Sequence, residues 1–82
     1  MITKIRVPAQ WRVPSEHKEY ETRLATAEFS LGIGPCGKVV TMLEIEMSDE
    51  LVNIGQHHED GSCKNFVYRV CDLTGRVEIE YD

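Results

Sequence analysis

The chain has 82 residues, enough for one hydrophobic core and therefore a single domain, 1–82. An apolar fraction of 41% and a charged fraction of 28% are those of a folded globular protein and exclude a disordered tail. A net charge of −5 argues against direct nucleic-acid binding, which needs a basic stripe, and no run approaches the ~20 apolar residues of a membrane span. The charge is uneven. Residues 1–23 carry five Lys/Arg against three Glu, while residues 24–82 carry four against eleven acids. Three cysteines, Cys36, Cys63 and Cys71, are too few and too odd in number for a disulfide framework, so buried thiols in a reducing, cytoplasmic compartment are expected.

Ile2 to Val7 alternates apolar and polar residues and predicts a first strand, closed by Pro8. Pro8 to Pro14 reads as irregular, with Trp11 placed as an anchor for a partner. Ser15 can cap a helix starting at Glu16, whose stripe is Tyr20, Leu24, Ala27 and Leu31. The rival for this segment is a strand alternating Arg23, Ala25, Ala27, Phe29 and Leu31 against Leu24 and Thr26. Gly32 and Pro35 stop the element.

Lys38 to Met47 predicts a strand with Thr41, Leu43, Ile45 and Met47 inward and Glu44 and Glu46 outward. Ser48-Asp49-Glu50 is a turn, and Leu51 to His58 a further strand, since Val52-Asn53-Ile54-Gly55 is poor helix material. Glu59-Asp60-Gly61-Ser62 is a second turn. Phe66 to Tyr81 then reads as a β-hairpin about Thr74-Gly75, with Val70 facing Ile79, Arg69 facing Glu80 and Tyr68 facing Tyr81. The expected fold is α+β, one N-terminal helix packed on a mostly antiparallel meander of about five strands in the order β-α-β-β-β-β. The alternative is an all-β small barrel or sandwich.

Several patterns invite a chemical reading. Gly32-Ile33-Gly34-Pro35-Cys36-Gly37 matches G-x-G-x-x-G, but it precedes a strand instead of opening a helix, so no cofactor is expected. His57, His58, Cys63 and Cys36 form the only soft-ligand group, without zinc-site spacing. In a strand, His57 and His58 point to opposite faces and cannot share an ion, so no metal is expected either. Cys36, beside Lys38 in a glycine-rich loop, is the best reactive thiol. The pairs Glu44 and Glu46, and Glu78 and Glu80, define acidic faces; such a face can imitate a phosphate backbone and occupy a basic groove.

These features point to a non-enzymatic interaction or binding module, acting as an acidic inhibitor or regulatory protein. Its expected partner is another protein or a second copy, the homodimer being the default for so small a domain. One alternative is a small apolar ligand held between helix and sheet by Leu43, Ile45, Val70 and Ile79. A further alternative is a metal- or thiol-dependent enzyme using His57, His58 and Cys36.

Overall fold

The computed structural model describes residues 1–13, 21–34 and 37–82, with side chains for residues 1–10, 23–34 and 37–82. Strand β1 (Ile2–Val13) runs straight through Pro8 and pairs antiparallel with β2 (Glu21–Ser30) from Lys4–Ser30 to Val13–Glu21. Pro8 does not close the strand, and the ladder explains why. The Leu31 N–H donates to the Thr3 carbonyl across 3.2 Å, one step beyond the Lys4–Ser30 pair. Hydrogen-bonded and non-bonded pairs alternate in an antiparallel ladder, so odd residues of β1 bond to β2 and even ones face the other way. The N–H that Pro8 lacks would point to the far side of β1. There β7 (Glu78–Tyr81) pairs only as far as Arg6–Glu78, so Pro8 lies beyond the β7 ladder and takes no donor from either ladder.

The expected helix over residues 16–31 is not formed where the chain is described: residues 21–30 are the strand β2. Its predicted cap and first turn, with Ser15, Glu16 and Tyr20, lie outside the described residues. Burial decides in favour of the strand. Phe29 is 5% exposed and stacks its ring 4.9 Å from Phe66, whereas Leu24 of the helical stripe is 69% exposed. A helix would have turned Phe29 away from that site.

The second sheet has the order β3-β4-β5-β6, formed by β3 (Gly32–Ile33), β4 (Val39–Met47), β5 (Leu51–His58) and β6 (Cys63–Arg69). All its pairings are antiparallel. A bulge between Val40 and Met42 shifts the alternation of β4. Val40 and Leu43 are therefore both buried, and Thr41, expected inward, is exposed. Met47 is also exposed.

The first sheet, β2-β1-β7, covers the second. Ile5, Val7, Ala9 and Phe29 from one meet Val40, Leu43, Val52 and Ile54 from the other in a single core. The fold is a two-layer all-β sandwich, which replaces the expected helix on a meander.

The C-terminal hairpin is likewise overturned. After β6 the chain makes a 3₁₀ turn, Val70–Asp72, then crosses to the other sheet. Leu73 bridges Ala9, and the Thr74 N–H donates to the Pro8 carbonyl across 3.0 Å. Neither Thr74 nor Gly75 has the positive φ that a two-residue hairpin of this kind demands. Ile79 pairs with Ile5 instead of Val70, and the Val70 N–H donates to the Glu50 carbonyl across 2.8 Å. Arg69 reaches Asp72 at 3.2 Å, while Glu80 lies 3.7 Å from Arg6. Crossing gives the four residues of β7 a partner in β1 and lets the connection close one end of the core with Leu73 and Val77. Among the described residues no helix is long and apolar enough to cross a membrane.

Candidate functional site

β5 sends its two histidines to opposite faces. His58 points to the core side and is only 8% exposed. Its Nδ1 lies 3.0 Å from Ser62 Oγ, at the far end of the turn Glu59–Ser62. That turn is closed by the His58 N–H donating to the Ser62 carbonyl at 2.9 Å, with Gly61 at φ +88°. Ser62 Oγ also lies 2.5 Å from Asp60 Oδ1 and 3.2 Å from Lys38 Nζ. The proton assignment follows from what each group can do. An ammonium only donates and a carboxylate only accepts, so the hydroxyl gives its proton to Asp60 and accepts from Lys38. Its remaining lone pair is left for His58, which must donate through Nδ1–H.

Asp60 is held at a pKa of about 2, first by the Ser62 hydroxyl, then by the Ser62 N–H at 2.8 Å, with Lys38 Nζ adding its charge at 3.6 Å. The three residue types of a hydrolytic triad are present in the wrong order. The carboxylate binds the hydroxyl instead of the imidazole, so His58 is not placed to take the Ser62 proton. What the arrangement does is hold the His58 ring by Nδ1, on the wall of a cleft of about 240 Å³ shared with Glu28, Ser30, Lys38 and Gln56. Sequence reasoning missed the grouping of His58 with Ser62, Asp60 and Lys38. The signal was there in the Asp-Gly-Ser turn that follows the histidine.

His57 sits on the outer face, with Nε2 3.2 Å from Glu44 Oε2. Beside it Gly55 leaves a dent: a Cβ there would meet Asn65 Oδ1 at 3.4 Å and Glu44 Cβ at 3.8 Å. Cys63 stands opposite His57 in the ladder and, like Cys71, is a free and exposed thiol, which corrects the expectation of buried cysteines. Among the described residues no three His, Cys, Asp or Glu side chains are grouped to hold a metal ion. Cys36 and the side chain of Trp11 lie outside the described residues.

The acidic pairs do not share one surface. Glu44 and Glu46 lie outward on β4 of the second sheet, Glu78 and Glu80 outward on β7 of the first. Arg6 lies within 3.2 Å of Glu28, 3.5 Å of Glu78 and 3.7 Å of Glu80. Arg6 and then Lys4 hold the Glu28 carboxyl below its ordinary range. The four apolar candidates are also dispersed: Leu43 and Ile45 serve the second sheet's side of the core, Ile79 pairs on the first sheet, and Val70 stands in the crossing turn. Among the described residues no helix lies over the sheet to bring them together.

Among the described residues the longest edge strand is β2, which flanks β1 at the border of the first sheet. By the alternation that explains Pro8, its odd residues bond to β1. The N–H and C=O groups of Thr22, Leu24, Thr26, Glu28 and Ser30 point to the open side. Among the described residues the other edge strands are shorter: β6 has seven residues, β7 four and β3 two. β2 has ten residues, with the exposed or half-buried run Leu24-Ala25-Thr26-Ala27 bearing neither charge nor proline.

No solved structure matches the chain. A curated protein of Enterobacteria phage T3, described as an uncharacterized gene 1.05 protein, is 45% identical over 58 residues, or 71% of this chain. The chain spans 64% of that relative's length in the match. The family model of the Enterobacteria phage T3 gene 1.05 protein matches residues 1–81, and the chain belongs to that family.

Proposed function

We propose that this phage-family protein is a non-enzymatic interaction module, which docks by adding the edge of β2 to an extended strand of another polypeptide in the host cytoplasm. The open β2 edge carries the reading. It offers main-chain donors and acceptors at every second residue on a strand already held by β1. Charge, the usual device that keeps such an edge from pairing, is absent from Leu24 to Ala27.

The test uses Thr26→Pro. The Thr26 N–H points to the open side, so proline removes a docking donor without touching the β1 ladder. Tagged wild-type and Thr26→Pro proteins are recovered from infected cells, with circular dichroism confirming that both are folded. Polypeptides retained by the wild type and lost from the variant support the module. Identical retention by both overturns it.

A further inference from the structure

Building on the docking role of the β2 edge, we infer that the occupant of that edge is a second copy of the chain, paired antiparallel about a two-fold axis at Thr26. Two copies of a strand edge form a continuous sheet when the axis stands normal to the sheet. Such an axis preserves faces, so directly opposed residues must share a face and the centre must fall on a residue. The N–H and C=O groups turned away from β1 are those of the even residues, Thr22 to Ser30, and none of them is paired in a sheet among the described residues. A centre at Thr26 is the register that uses all five: Thr22 with Ser30 of the second copy, Leu24 with Glu28, and Thr26 with Thr26. Each pair exchanges two hydrogen bonds.

The side chains agree with that register. Thr26 meets itself, a favourable cross-strand pair, and Ala25 meets Ala27. No like charges are opposed. Glu28, which falls beside Leu24 of the other copy, is already neutralised by Arg6 at 3.2 Å and Lys4 at 3.5 Å. The product is a six-stranded sheet, three strands from each copy, with one second sheet behind each half. The exposed Leu24 of each copy gains a neighbour across the junction.

Light scattering behind a sizing column, over a dilution series from millimolar downward, should give twice the 9.4 kDa chain mass at the concentrated end. Thr26→Pro should abolish the dimer while retaining the wild-type circular dichroism spectrum. Mixing provides a second route that survives any folding defect in the proline variant. Thr26→Glu and Thr26→Lys should each weaken self-association by about fivefold, because like charges then oppose across the axis. An equimolar mixture of the two should restore it. Oxidised Thr26→Cys should cross-link to itself at position 26, as a Cα separation near 5.5 Å allows, and Ala25→Cys should not. A monomeric wild type at all concentrations, or a dimer indifferent to Thr26→Pro and to mixing, overturns the self-pairing. A monomeric wild type that still loses a captured partner on Thr26→Pro leaves the docking role standing and the identity of the occupant wrong.

Discussion

His58 and Ser62 are joined side chain to side chain, Nδ1 to Oγ at 3.0 Å, across a turn whose backbone they also close. With Asp60 accepting the hydroxyl proton, the imidazole is committed to its Nδ1–H tautomer. Long-range ¹⁵N–¹H correlation spectra should show the neutral form of His58 carrying its proton on Nδ1. Ser62→Ala should abolish that preference. It should also destabilise the fold by about 1–2 kcal/mol in urea titrations, since a mostly buried ring donor loses its acceptor. A neutral His58 carrying its proton on Nε2 and none on Nδ1 would refute the network.

Asp60 makes the same network sensitive to acid. Its folded pKa of about 2 lies below the ordinary 3.8, so the unfolded chain binds the proton more tightly than the folded one. The associated stability is therefore complete above pH 3.8 and is lost as the pH falls towards 2. Denaturation midpoints measured between neutral pH and pH 2 should fall through this window. Asp60→Asn should flatten the part of the fall that belongs to this carboxylate, leaving the part due to Glu28 and Asp82, whose carboxyls are also held below their ordinary range. An unchanged profile in Asp60→Asn would mean that Ser62 and Lys38 do not hold the carboxylate as described.

Phe29 and Leu24 separate the two readings that the sequence allows for β2. Phe29→Ala removes a ring packed on Phe66 and Tyr68 and should cost about 3–5 kcal/mol. Leu24→Ala, at an exposed position, should stay within about 0.5 kcal/mol in dilute protein, where self-association does not contribute. A helix with the Tyr20-Leu24-Ala27-Leu31 stripe buried would reverse that order. Guanidinium titration of the two variants decides.

How far the fold could be read depended on whether the deciding partner was near in sequence. β4, β5 and the two turns around β5 were legible, because alternation and Ser, Asp and Gly chemistry act within a few residues. The continuation of β1 through Pro8 was not: whether a missing N–H matters depends on which strand lies opposite, and β7 is seventy residues away. For β2, Leu24, Ala27 and Leu31 fit a helical period, while the ring contacts that bury Phe29 come from β6. At the candidate site, the residue types around the histidines were visible and the pairing was not. Lys38 reaches Ser62 only because β4 and β5 are neighbours.

Gly61 and Gly75 test the crossing of the chain between sheets. Both follow a polar residue in a turn-like stretch, and sequence alone assigns each a tight turn. Gly61 is at φ +88°, where a Cβ is strained whatever the space around it, so Gly61→Ala should cost about 1 kcal/mol or more. Gly75 has no positive φ, and an added Cβ would meet Pro8 Cγ at 3.4 Å, near ordinary contact. Gly75→Ala should therefore be close to neutral, with the lost chain entropy of the unfolded state offsetting a slight shift of the proline ring. Had the chain folded back at Thr74-Gly75 as a hairpin, the same substitution would force alanine into a left-handed turn and cost as much as at Gly61. Equal destabilisation of the two variants in thermal melts would restore the hairpin; a cost confined to Gly61→Ala places β7 beside β1.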